Sequence, residues 1–203
     1  MSLNYNYNKN FTKANFDFDN LPYLTNPYRK LNLQSVGIGL IKLPPNEGYT
    51  FTHSHVEQEE VYIVVSGKGV ILIDGELIEI QRGDLVRVSP TAKRAIKADK
   101  GTDLFVICAG GVTQGYPQNY NSRYLIDDGI PDYDDIPPWY QDNQDIIAKN
   151  SILKERMLKA QAKRKQGETN VSIQPSACLL PPAEELRFSC RAAKQLSAKE
   201  RKK

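Results

Sequence analysis

Two histidines and a glutamate carry the chemistry of this chain. His53 and His55 are its only histidines, set in Gly48-Tyr-Thr-Phe-Thr-His53-Ser-His55-Val-Glu-Gln-Glu59-Glu60. In an extended strand alternate side chains share a face, so the two imidazoles project together. Glu60 opens the next apolar run and is expected to bring a carboxylate from a neighbouring strand, with Glu59 within reach of the same role. Two imidazoles and one carboxylate form the donor set that holds Fe, Mn, Ni or Zn as a divalent ion with coordination positions left open.

Positioning such a set requires strands, and the surrounding sequence reads as strands. Alternation at Val36, Ile38 and Leu40 ends at Pro44-Pro45, and Tyr49 to His55 forms the histidine-bearing strand. Glu60 to Val65 is apolar and β-branched. Gly69 to Ile73 and Glu76 to Ile80 flank Asp74-Gly75, a strong short hairpin signal. Leu85 to Ser89 and Thr102 to Ala109 complete the set. Short strands at regular spacing, separated by turn residues, predict a sandwich or barrel.

The run from Gly48 through His53, His55 and Glu60 to Gly67 resembles the first signature of the cupin superfamily: Gly, five residues, His-x-His, three or four residues, Glu, six residues, Gly. Four residues, not five, separate Gly48 from His53. The spacing to Gly67 selects Glu60 over Glu59. The second signature is followed from Gly83 to Pro90, but its glycine is Ala92 here and its histidine is Arg94. The resemblance covers about residues 32 to 112 and implies an all-β jelly-roll barrel. It implies a metal held by His53, His55 and Glu60, and a homodimer. Cupins host dioxygenases, sugar-phosphate isomerases and decarboxylases, so the fold alone does not choose a reaction.

Arg94 divides the functional readings. A guanidinium stays charged at any working pH. At ~5 Å from a dication it would be repelled by about 6 to 7 kcal/mol at an effective dielectric of ~20. Three arrangements avoid this: Arg94 turned outward, Arg94 gripping an anion that also coordinates the metal, or Arg94 paired with Glu60. The first two describe an enzyme of oxygenase or isomerase type acting on a small polar or anionic metabolite, with Tyr62 and Arg94 as its catalytic side chains. The third describes a metal-free pocket centred on Arg94 that binds a sugar or organic acid without turnover. Phe51 is expected to fill the barrel, while Lys93 and Arg87 are candidate anion contacts.

The appendages are read separately. Residues 1–30 form an N-terminal extension, 31–112 the barrel, and 113–141 an acidic, aromatic, proline-bearing connection. That connection either lies over the barrel mouth or packs outside, and Trp139 and the tyrosines favour packing. Residues 142–166 are predicted helical behind Pro137-Pro138, and 167–203 form a flexible, disordered tail. Residues 151–203 carry 13 basic and 5 acidic side chains, a net +8, against −5 for the rest. The tail has one aromatic residue, Phe188, and no zinc-finger or helix-turn-helix pattern, which argues against nucleic acid as a partner. No signal-peptide pattern or apolar run long enough to span a bilayer is present. Three widely spaced cysteines form no disulfide framework, so a cytoplasmic setting is expected.

Overall fold

The computed structural model describes residues 5–7, 10–111 and 128–165. Its strands run β1 (Tyr5–Tyr7), β2 (Thr12–Ala14), β3 (Leu24–Thr25), β4 (Val36–Leu43), β5 (Thr52–His55), β6 (Glu59–Ser66) and β7 (Lys68–Ile73). They continue as β8 (Glu76–Gln81), β9 (Leu85–Val88), β10 (Arg94–Ala98), β11 (Leu104–Gly111) and β12 (Gly129–Asp132). Helix α1 (Tyr28–Leu31) precedes β4; a 3-10 turn (Pro138–Tyr140) and helix α2 (Gln144–Lys165) follow β12. Two five-stranded antiparallel sheets face each other, ordered β12-β5-β10-β7-β8 and β3-β4-β11-β6-β9, with β1-β2 as a separate hairpin. This is the expected all-β jelly-roll architecture with a C-terminal helix; the basic tail, residues 167–203, lies outside the described residues.

The inner faces explain the alternation in the sequence. Leu43, Phe51, Tyr62, Val64, Ile71, Ile96, Leu104 and Val106 fill the space between the sheets, each at most 2% exposed. The expected hairpin forms at Asp74-Gly75, where both residues have positive φ (47° and 89°), as a tight turn matched to strand twist requires. Gly67 has φ +86°, and a Cβ there would come within 1.8 Å of the Asp103 carbonyl oxygen. A side chain cannot fit where the β6–β7 turn crosses that backbone.

Five strands escape the sequence reading: β1, β2 and β3 in the N-terminal extension, and β10 and β12 beside the histidine strand. β10 pairs with β7 from Arg94↔Ile73 to Ala98↔Gly69, and with β5 at Arg94↔His53. β12 adds to the free side of β5, from Gly129↔His55 to Asp132↔Thr52. The described part of the connecting segment therefore packs along the barrel. Tyr133 packs against Phe51 with the rings tilted by 60° and centroids 4.6 Å apart, and Trp139 donates its indole N–H to the Tyr49 carbonyl at 3.0 Å. Residues 113–127 lie outside the described residues.

Helix α2 starts where the Asn143 side chain accepts hydrogen bonds from the N–H groups of Asp145 and Ile146, a cap one residue after the expected start. Its buried residues Ile146 and Asn150 face the barrel. The Asn150 amide donates to the carbonyls of Thr50 (2.8 Å) and Tyr133 (3.3 Å), tying helix, β12 segment and the approach to β5 together.

Candidate metal centre

Strand alternation brings His53 and His55 to the inner face of β5, their ring centroids 5.4 Å apart. Glu60 meets them from the opposite sheet, since β5 and β6 belong to different sheets. The expectation of a carboxylate from a neighbouring strand is corrected accordingly: the sharp turn at residues 56–58 carries the chain across the barrel, and Glu60 returns facing the histidines. Glu59 points outward, paired with Arg87 on the surface. The candidate ligand atoms of His53, His55 and Glu60 all lie within 4.8 Å of one another, and all three residues are buried.

His55 is held from both sides. Its Nδ1 lies 2.9 Å from Asp128 Oδ1, and its Nε2 lies 3.3 Å from Glu60 Oε1. Burial raises the Asp128 carboxyl, but the backbone N–H of Glu57 and then His55 outweigh it and hold the group below the usual range. An ionised carboxylate only accepts, so Nδ1 is the donor to Asp128 and Nε2 is the nitrogen turned toward Glu60. With the ring neutral, that nitrogen and the Glu60 oxygen can share one cation. Ligands each ~2.1 Å from one ion stand about 3.0 to 3.4 Å apart at octahedral to tetrahedral angles, which brackets the observed 3.3 Å. The donor types fit a divalent transition metal, and the His55–Glu60 pair stands at a two-ligand separation with His53 within 4.8 Å of both.

The other residues divide between inside and outside. Tyr62 donates its hydroxyl proton to Glu60 Oε2 at 2.9 Å, while Gln58 Nε2 donates to Oε1 at 3.0 Å. Arg94 is fully buried, with Nε 3.2 Å from Glu60 Oε2 and Nη1 given to the carbonyls of Ala92 (2.8 Å) and Pro90 (2.9 Å). It is not turned outward, and of the three arrangements the structure contains the pairing with Glu60. Lys93 and Arg87 are exposed; Lys93 pairs with Asp132 and Asp135, and neither reaches the site.

Burial shapes the protonation states. It depresses His53 to about 3, assisted by Arg94 and His55 and opposed by Glu60. For Glu60, burial pushes upward, but the contact with His55 and the nearby Arg94 guanidinium and imidazoles win, holding it well below the usual carboxylate range. Burial also pushes the Tyr62 hydroxyl and the Cys108 thiol well up, so both keep their protons.

Above these groups lies a cavity of ≈ 70 Å³, walled by Leu24, Ile38, Ile41, Phe51 and Cys108 with the glycine backbones of β4 and β11. Asn26, Gln58 and Tyr62 supply its polar lining besides the candidate ligands; Arg94 sits behind Glu60 and does not line it. Asp128, Gln58 and Asn26 were missed from sequence. Asp128 lies 73 residues from His55, and no spacing rule links a strand to a residue in a later segment.

Comparison with known proteins agrees with this architecture. A cupin domain family model matches residues 39–110. An uncharacterised protein of Methanocaldococcus jannaschii is 29% identical over 59 residues, covering 29% of this chain and 47% of that protein, about half its length. A cupin protein from Bacteroides fragilis shares 34% identity over 55% of this chain and 92% of its own, with a TM-score of 0.48. A protein of Thermotoga maritima described as a predicted oxalate decarboxylase is 25% identical over 37% of this chain and 65% of its own, with a TM-score of 0.36. The family model spans the strands that build the site, and residues 39–110 match a cupin domain.

Proposed function

We propose that the chain is a metal-binding cupin that holds one divalent transition ion through His53, His55 and Glu60 and acts on a small polar or anionic metabolite. The observation that carries this reading is the 3.3 Å approach of His55 Nε2 to Glu60 Oε1, with Asp128 holding the opposite ring nitrogen. A bound ion would act as a Lewis acid or redox centre, the basis of isomerase- or oxygenase-type chemistry. The residues around it have separate tasks. Asp128 fixes the tautomer and orientation of His55. Arg94 and Tyr62 hold Glu60 Oε2, which leaves Oε1 directed at the histidines. Tyr62 also lines the cavity, which supports a role in orienting a bound ligand. A homodimer and a cytoplasmic setting complete the reading, from the cupin pattern and the cysteine usage.

A second reading is favoured by one observation, the Arg94–Glu60 ion pair. In it the guanidinium takes the place of the ion, and the pocket binds a sugar or organic acid without turnover. Metal content separates the two. Elemental mass spectrometry on untagged protein, beside a His53→Ala/His55→Ala variant, should find close to one Fe, Mn, Ni or Zn per chain in the wild type and none in the variant. Wild-type protein that stays metal-free after incubation with each ion would leave the second reading standing alone.

A further inference from the structure

The metal reading leaves open which ligand the centre takes, and the buried charges around it bear on that question. Resting on that reading, we infer that the cavity selects a small monoanionic oxygen ligand with an apolar body, such as a monocarboxylate, over both dianions and neutral analogues. A divalent ion would sit among two neutral imidazoles, the Glu60 carboxylate, the Asp128 carboxylate behind His55, and the Arg94 guanidinium behind Glu60. Arg94 largely cancels Glu60, and Asp128 removes one charge from the ion. One positive charge remains in a site where all three candidate ligands are at least nine-tenths buried. Interactions between charges strengthen away from water, so the open positions favour a ligand that brings one negative charge.

The walls point the same way. Leu24, Ile38, Ile41 and Phe51 offer an apolar surface, and no lysine or arginine lines the cavity. A second carboxylate or a phosphate would find no side-chain cation to meet it, and a second charge brought to the ion would overshoot the one positive charge that remains. A neutral ligand would leave the centre's own charge uncompensated. The ≈ 70 Å³ volume limits the body to a few heavy atoms. Arg94 is the residue that sets this preference, because it adds positive charge without reaching the ligand.

The test uses the full chain loaded with Co(II), its loading checked by elemental analysis and its visible d–d absorption followed as the readout. Propanoate, propanamide and malonate are titrated at constant ionic strength, in ranges where Co(II) stays bound. Propanoate should bind at least tenfold more tightly than its neutral isostere and than malonate. Arg94→Gln should reduce the advantage of propanoate over propanamide at least tenfold, while Arg94→Lys retains it. If Arg94→Gln does not fold, the wild-type series and Arg94→Lys decide the matter. Malonate or propanamide binding as tightly as propanoate to loaded wild-type protein overturns the inference and leaves the metal reading intact. A chain that takes up no Co(II) overturns both.

Discussion

His55 and Asp128 are joined by a 2.9 Å hydrogen bond across 73 residues of sequence. The same carboxylate also accepts the backbone N–H groups of Glu57 and Gln58. One side chain thus orients a candidate ligand and closes the turn that sends Glu60 back across the barrel. Groups in this position typically change metal affinity by 10- to 100-fold. Asp128→Ala should weaken Co(II) or Zn(II) affinity by about that factor while the barrel stays folded. Competition with a chromophoric chelator, beside circular dichroism, would check it. Unchanged affinity would place Asp128 outside the centre.

The Arg94–Glu60 pair makes a prediction about stability that is independent of metal. Both groups are buried, with side chains 0% and 8% exposed. Removing one partner of such a pair leaves an uncompensated charge and costs roughly 3–5 kcal/mol. Glu60→Gln should therefore destabilise the chelator-treated protein strongly in urea unfolding. Glu60→Gln combined with Arg94→Met should be more stable than Glu60→Gln alone. A double variant that is weaker still would show that the guanidinium is not electrostatically dependent on Glu60.

Acid sensitivity follows from His53 and Glu60. His53 is held neutral in the fold down to about pH 3, whereas an unfolded chain protonates it near 6.5. The unfolded state then binds more protons, so stability falls as pH drops from about 6.5 toward 3, at up to ~1.4 kcal/mol per pH unit for this one group. Glu60 is depressed as well, and its contribution is lost as pH falls below the ordinary carboxylate range. Urea midpoints of chelator-treated protein from pH 7.5 to 4 should decline steadily, and His53→Gln should flatten the part between 6.5 and 5. A profile unchanged in the variant would mean that His53 is not buried in its neutral form.

Asn150 links α2 to the barrel by donating to two carbonyls. Asn150→Ala removes both bonds and leaves buried acceptors, a loss of about 1–3 kcal/mol. Asn150→Asp aims a carboxylate at the same carbonyls and should cost more. Chemical unfolding of the two variants gives the order directly; equal stabilities would show that the helix docks through its apolar residues alone.

The sequence made the inward face of β5 readable, because period-two alternation and the His-x-His spacing state the same geometry twice. Glu60 over Glu59 was legible from spacing to Gly67, whose turn admits no side chain. The strand Arg94-Ala-Ile-Lys-Ala was not, since those residues favour helix as readily as strand and only pairing with β7 and β5 decides. β12 was missed for a related reason. Gly129-Ile-Pro-Asp132 carries a proline, which is tolerated because the strand lies at the sheet edge. Arg94 was foreseen as the pivotal substitution, and its pairing was one of three arrangements left open. Three-dimensional closure of the β9–β10 loop by backbone carbonyls selects among them.

Because β12 lies against β5, the strand that bears both histidines is an inner strand of its sheet. Its backbone is paired on one side by the barrel and on the other by a segment that follows the barrel in sequence. The stretch that matches the cupin domain model, residues 39–110, is therefore shorter than the stretch that assembles the candidate centre. Cutting the chain after β11 would expose an unpaired edge at the histidines and remove Asp128 in the same stroke. The barrel and the segment that follows it act as one part: a change in residues 128–150 is a change to the candidate metal site.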